Sequence, residues 1–275
     1  MPEGDSIFRA ARALHRALAG RPVARFESVF AHLTNATEHQ PLVGQTVDRV
    51  EARGKHLLMW FSAGLVLRTH MRMHGSWHIY RPGERWQRSR HDMRIVIETP
   101  DMLAVAFMVP VAEFIHASAI DRAESLRDLG PDLLSADFDA AAAVARLQKA
   151  GDTAIADALL DQRAIAGIGN VYKSETLFAT RINPFTPVSR VPSDQLEAVV
   201  ARAATFMRAN VADDSTRMTT YRGPRRTTGR FDPGARFWVY GRAGRPCRRC
   251  GTPIQRAKQG SHARSTYWCP RCQPQ

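Results

Sequence analysis

Cysteine is absent from the first 246 residues of this 275-residue chain; its four cysteines lie at positions 247, 250, 269 and 272. A framework of disulfides spread through the fold is therefore excluded. Long hydrophobic runs are also missing. The stretch from Leu57 to Leu67 is broken by Ser62 and Gly64, and that from Met102 to Ile115 by Pro110 and Glu113, so neither reaches the ~18 apolar residues of a membrane span. No basic-then-apolar leader opens the sequence, and a soluble intracellular protein without a membrane partner is the expectation. Acids are nearly lacking at the other end. From Arg217 to Gln275 one acid, Asp232, stands against fourteen Lys and Arg, which is the whole net charge of +13; the other 216 residues are neutral.

This arginine-rich segment is interleaved with Tyr221, Phe231, Phe237, Trp238, Tyr240 and Tyr267. Concentrated cations among aromatics form a phosphate-binding surface, so nucleic acid is the expected partner. A solvated basic face is the plainer reading, but such faces mix both signs. Within the segment, Cys247-x-x-Cys250 and Cys269-x-x-Cys272 are separated by 18 residues, with Gly251 and Pro270 to turn the chain. That spacing suits one tetrahedral Zn²⁺. Four sulfur ligands leave no open coordination position, so the ion would hold a small fold together rather than catalyse. Two disulfides or a redox C-x-x-C are the alternatives, and a reducing cytosol disfavours them.

Length suits two domains plus this ribbon. Residues 5–18 read as an amphipathic helix, capped by Asp5 or Ser6, with Ile7, Ala10, Ala11, Leu14 and Leu18 on one face. From Val23 to about Ile120 the pattern is of short strands, such as Val47–Val50, His56–Phe61, Val66–Thr69, Trp77–Tyr80, Met93–Glu98 and Leu103–Met108. A β-sandwich is expected there. After Leu129-Gly130-Pro131-Asp132 the character turns helical, at Ala140–Lys149, Thr153–Arg163, Asn170–Arg181 and Ser193–Asn210, and residues 211–236 read as a mobile loop.

Three constellations carry chemistry. Removal of Met1 would leave Pro2 with a free secondary amine. An α-amino group has a pKa of about 7.7–8.0 against about 10.4 for lysine, so at neutral pH it is the better nucleophile. Glu3 beside it could act as a general acid. Lys55, in Ala52-Arg53-Gly54-Lys55-His56, is placed at a turn before an apolar strand; a solvated surface cation is the plain reading. In Gly167-Ile168-Gly169-Asn170, the glycines permit positive φ and Asn170 is expected to cap the following helix, whose N-terminus can bind a phosphate. An ordinary helix connection is the alternative. The ten histidines show no metal spacing.

Pro2-Glu3-Gly4, Gly54-Lys55, Gly167-Ile168-Gly169-Asn170 and the terminal four-cysteine finger occur in one order. Together they resemble the formamidopyrimidine-DNA glycosylase and endonuclease VIII family over essentially the whole chain. The resemblance implies an α+β multidomain fold: an N-terminal β-sandwich flanked by helices over residues 1–125, a helix-two-turn-helix DNA-binding domain with its following loop over 126–236, and a zinc-finger β-hairpin over 237–275. It implies a monomer, cytoplasmic and nucleoid-associated, acting on double-stranded DNA that contains damaged bases or abasic sites and lies in a cleft between domains.

By the same resemblance the damaged base is flipped out of the stack. Pro2 attacks the anomeric carbon, Glu3 protonates the opening sugar, and a Schiff base leads to β,δ-elimination. Lys55 would donate a proton and contact phosphate, Asn170 with Gly169 would clamp phosphate, and Arg264, in His262-Ala263-Arg264-Ser265-Thr266, would grip the phosphates flanking the lesion. Arg72, Met73 and His74 would fill the gap left by the flipped base, with a plain turn as the alternative. Two departures bear on substrate. The purine-directed branch begins Pro-Glu-Leu-Pro-Glu and carries Pro-Arg-Arg-Phe, where this chain has Pro2-Glu3-Gly4-Asp5-Ser6 and Pro110-Val111-Ala112-Glu113-Phe114. The endonuclease VIII branch and oxidised pyrimidines are therefore expected, with Ser6 in place of a second glutamate weakening the lyase steps. The alternatives are the same chemistry on oxidised purines such as 8-oxoguanine, and a zinc-ribbon protein that binds damaged DNA without cutting it.

Overall fold

The computed structural model describes residues 2–212, 225–228 and 233–275. Most of the expected loop over 211–236 lies outside these described residues. The chain divides into two compact units, one running to Asp128 and the other beginning at Leu129. No helix among the described residues is long and apolar enough to cross a membrane.

In the first unit, helix α1 (Gly4–Leu18) is followed by β1 (Arg25–Ser28), helix α2 (Ala31–His39), β2 (Val47–Arg53), β3 (His56–Phe61), β4 (Leu65–His70), β5 (Ser76–Tyr80), β6 (Met93–Glu98), β7 (Leu103–Phe107), β8 (Val111–His116) and the short helix α3 (Glu124–Arg127). The strands form two four-stranded antiparallel sheets, in the orders β1-β6-β7-β5 and β2-β3-β4-β8. The expected sandwich is present. Its core joins Leu57, Met59 and Leu67 of one sheet to Trp77, Ile95, Ile97 and Ala106 of the other, and the Ile7, Ala10, Leu14 and Leu18 face of α1 closes onto it.

Strands β1 and β8 fall within the expected strand region beyond the runs named above, whereas α2 is a helix in a region read as strands throughout. Only Leu33 of α2 is buried, so its sequence has no apolar stripe to announce it. The N-cap of α1 is Glu3, not Asp5 or Ser6, both of which are buried within the helix.

The second unit contains α4 (Ala140–Gln148), α5 (Ile155–Ala158), α6 (Asn170–Thr180), α7 (Ser193–Val211) and a hairpin of β9 (Gln255–Gln259) and β10 (Arg264–Trp268). The helix expected over 153–163 shrinks to α5. Ile155 N–H, the first of α5, donates to the Thr186 carbonyl at 2.8 Å, and beyond the helix the Asp161 carboxylate accepts from Arg163 N–H at 2.9 Å, a local side-chain bond that competes with helical bonding. α6 passes through the centre of the unit, buried from Asn170 to Phe178. Its Phe178 shares a core with Val239, Cys247, Ile254 and Cys269. The finger is thus packed onto a helix rather than folded around its metal alone.

Candidate active site and zinc centre

Pro2 and Glu3 are buried at the start of α1, and Glu3 has no exposed surface. The carbonyl of Glu3 accepts from Ser6 N–H at 2.9 Å and Ile7 N–H at 3.1 Å, closing the first turn. Its carboxylate makes no capping bond to its own helix. A buried carboxyl group thus stands next in the chain to Pro2. Ser6 donates to Asp5 at 3.4 Å, and Asp5 is paired with Arg9 at 3.3 Å.

Lys55 occupies the two-residue turn between β2 and β3, after Gly54 at φ +59°. Glycine is preferred at the first central position of such a turn because L-residues resist positive φ. The strands that flank it bring further cations to the same place. His56 and His70 face each other across β3 and β4, with ring centroids 4.9 Å apart. Arg68 lies 2.8 Å from His56 Nδ1 and donates to Glu113 at 2.6 Å, and Arg72 N–H donates to His70 Nδ1 at 3.2 Å.

Burial, then His70, Arg68 and Lys55, lower the pKa of His56 to about 3. Burial, then Lys55, Arg68 and Arg72, lower that of His70 to about 4, against a small opposing effect of its backbone hydrogen bond. Two imidazoles that are neutral at pH 7 thus sit beside Lys55, Arg72 and the Arg68–Glu113 pair. The sequence pattern gives these histidines no part, because nothing short of the β3–β4 register pairs them.

The shift has a consequence for stability. Both rings are harder to protonate when folded, so the unfolded chain takes up protons first as pH falls below the ordinary histidine value of 6.5. Stability that is complete above that value is then lost progressively towards pH 4. A double His56→Gln, His70→Gln variant is expected to show a smaller drop in Tm between pH 7 and pH 4. An identical drop in both proteins would contradict the assignment.

The loop Arg72-Met73-His74-Gly75 leaves β4 with Arg72 at φ +46°. Met73 is 48% exposed, one of the few large apolar side chains so placed, and Arg72 and His74 are exposed beside it. A Cβ on Gly75 would lie 2.6 Å from the Met71 carbonyl oxygen, so only glycine allows this tight turn. Pro110-Val111-Ala112-Glu113-Phe114 leads into β8, where Glu113 is committed to Arg68 and Phe114 packs on Phe26 at 5.8 Å.

In the second unit, Gly167 has φ +99° whereas Gly169 is extended and is itself the N-cap of α6. Asn170 is therefore not the cap. It is the first helical residue, and its amide donates to the Ser265 carbonyl at 2.7 Å. Ser265 follows Arg264, which opens β10 and is exposed. Asn170 and the strand that carries Arg264 are thus hydrogen-bonded to each other.

The four cysteines are unbridged, and their sulfur atoms all lie within 4.8 Å of one another. Cys247 and Cys272 sulfurs are 3.9 Å apart and those of Cys250 and Cys269 3.5 Å. Disulfide bonds of ~2.05 Å are excluded, and bonds of ~2.3 Å from one Zn²⁺ to four tetrahedral sulfurs give separations of about 3.8 Å. The donor set therefore fits one structural zinc ion. Arg249 N–H donates to Cys247 sulfur at 3.4 Å, orienting a ligand as outer partners of metal sites do.

Glu175 is a structural tie that the sequence alone does not reveal. It is buried in α6, and its carboxylate accepts from the N–H groups of Trp238, Val239 and Tyr240 at 2.8, 2.9 and 2.8 Å. Burial pushes its pKa up, opposed by these bonds and one from the Thr227 hydroxyl. It ties the helix to the segment leading into the finger.

Comparison with known proteins agrees along the chain. Residues 1–109 match the formamidopyrimidine-DNA glycosylase N-terminal domain, residues 129–222 the formamidopyrimidine-DNA glycosylase H2TH domain, and residues 244–275 the zinc finger found in FPG and IleRS. The chain is 44% identical to "Probable endonuclease 8 2" of Streptomyces coelicolor, over 99% of this chain and 94% of that protein. It is 38% identical to "DNA-(apurinic or apyrimidinic site) lyase Nei2" of Mycolicibacterium smegmatis, over 99% of each. The fold matches Lactococcus lactis Fpg, solved in complex with abasic-site DNA, with a TM-score of 0.82 and 22% identity over the whole of both chains. By sequence, fold and cysteine centre, the chain belongs to the formamidopyrimidine-DNA glycosylase and endonuclease VIII family, on the endonuclease VIII side.

Proposed function

We propose that this protein is a bifunctional DNA glycosylase and abasic-site lyase of base-excision repair, directed at oxidised pyrimidines. The observation that carries the reading is the buried Glu3 carboxylate adjoining Pro2 at the start of a fifteen-residue helix. The positive end of that helix disfavours a protonated amine and so keeps the Pro2 nitrogen nucleophilic.

In this reading the Pro2 nitrogen bonds to C1′ of the damaged nucleotide as the base leaves with the electrons of the glycosidic bond. The amine proton passes to the departing base, Glu3 gives a proton to the ring oxygen, and the sugar opens to an iminium ion, the Schiff base of a secondary amine. This electron sink acidifies the C2′ hydrogen, whose loss expels the 3′ phosphate; a second elimination expels the 5′ phosphate. Lys55 supplies a proton and holds phosphate. Asn170, Gly169 and Arg264 hold the backbone, and Arg72, Met73 and His74 fill the space of the flipped base.

The pyrimidine preference is supported by the absence of an arginine pair at Val111 and Ala112 and by the endonuclease 8 names of the relatives. The working division is the catalytic sandwich over 1–125, the helical DNA-binding segment over 126–236 and the finger over 237–275. We take the protein to work as a monomer on double-stranded DNA at the nucleoid.

A panel of duplexes containing thymine glycol, 8-oxoguanine or an abasic site, incubated with protein and borohydride, tests the reading. Covalent adducts and strand nicks are expected, with thymine glycol excised faster than 8-oxoguanine. Faster release of 8-oxoguanine would reverse the substrate assignment, and no adduct on any duplex would leave a protein that binds damage without cutting. Arg264→Lys is expected to weaken binding to abasic DNA about tenfold, because lysine lacks the paired donors that grip phosphate. Unchanged affinity would remove Arg264 from the site.

A further inference from the structure

Lys173 is the buried cation to which the chemistry above gives no task. It is the fourth residue of α6 and has no exposed surface. Burying an ammonium is costly unless its protons are satisfied. Here Nζ donates to Asn170 Oδ1 at 2.7 Å, to Thr266 Oγ1 at 2.8 Å and to the Ser265 carbonyl at 3.4 Å. The Thr266 hydroxyl donates to Gln259 Oε1 at 2.9 Å, and Gln259 Nε2 donates to the Pro184 carbonyl at 3.1 Å.

These partners decide which way round the Asn170 amide sits. An ammonium has no acceptor and a carbonyl no donor, so Oδ1 must face Lys173 and Nδ2 must face Ser265. The second Nδ2 hydrogen is what remains for a ligand. The same ammonium holds Ser265 and Thr266, the two residues after Arg264 on β10.

We propose that Lys173 is a positioning residue, which fixes the Asn170 amide and the start of β10 in a single arrangement so that Asn170 Nδ2 and the Arg264 guanidinium address DNA phosphates together. The inference rests on the phosphate-binding roles proposed above for Asn170 and Arg264. A lysine that only filled space would be replaceable by an apolar side chain of equal length without effect on phosphate binding. One that orients Asn170 would not.

The test measures affinity for a duplex carrying a stable abasic-site analogue, at several salt concentrations, for Lys173→Met, Lys173→Arg, Asn170→Ala and the double Lys173→Met, Asn170→Ala variant, each with zinc content verified. Lys173→Met is expected to bind about tenfold more weakly, the order of one charge-assisted hydrogen bond. Its slope of log K against log[salt] should be shallower by about 0.9 for each phosphate that is no longer neutralised. The double variant should be no weaker than Asn170→Ala within a factor of about two, and Lys173→Arg should recover part of the affinity.

Wild-type affinity and slope in Lys173→Met, or losses that multiply in the double variant, would overturn the inference. If Asn170→Ala itself binds as wild type, the proposed phosphate site fails and the inference with it; if Asn170→Ala is weak and Lys173→Met is not, the inference alone fails. Should Lys173→Met not retain zinc, Thr266→Val, which removes one acceptor and leaves Lys173 and Asn170 in place, is judged by the same affinity and additivity criteria.

Discussion

Glu3→Gln is expected to slow release of an oxidised pyrimidine by about 10²–10⁴-fold, while nicking of a duplex with a preformed abasic site falls far less. The two substrates differ in what they ask of the carboxyl group. With an intact nucleotide the ring oxygen must be protonated for the sugar to open. An abasic sugar already exchanges with its open aldehyde, to which the Pro2 amine can add directly. The substitution is close to isosteric, and the Glu3 carboxylate makes no capping bond to α1, while the backbone carbonyl that closes the first turn is untouched. A loss therefore reports chemistry rather than helix stability. Excision and nicking assays on one preparation check it, and equal losses on both substrates would contradict the role given to Glu3.

Removal of zinc should have the second largest effect. Cys269 has no exposed surface, its N–H donates to Gln273 at 3.0 Å, and Gln273 reaches back to the Ile182 carbonyl at 2.8 Å. The finger core is shared with Phe178 of α6, so losing the metal disturbs the helix as well as the hairpin. Structural zinc sites in isolated fingers carry apparent binding energies of about 10–16 kcal/mol. Chelation or Cys269→Ser is expected to reduce affinity for abasic DNA more than about 100-fold, as Asn170 and β10 part. Metal analysis alongside DNA titration checks this; tight binding by verified zinc-free protein would refute it.

The strands most legible in the sequence are those with apolar runs between turns, such as His56–Phe61 and Leu103–Phe107. β1 and β8 are less sharply marked, because Arg25, Glu27, Glu113 and His116 interrupt their apolar residues. The cysteine centre is legible because metal geometry fixes its spacing. Asn170 is recognisable as a candidate site residue and as the start of a helix, but its bond to Ser265, 95 positions away, is not. Lys173 and the His56–His70 pair are invisible for the same reason. Their meaning lies in register and in hydrogen bonds between distant segments.

The central claim is that the Pro2 nitrogen itself bonds to the sugar. Borohydride reduction during reaction with an abasic duplex, followed by proteolysis and mass spectrometry, tests it most directly. The account predicts that the reduced sugar is found on the peptide beginning at Pro2, and that protein with a retained Met1 or a blocked amine forms no adduct. A modified lysine such as Lys55, or undiminished trapping by the blocked protein, would contradict it.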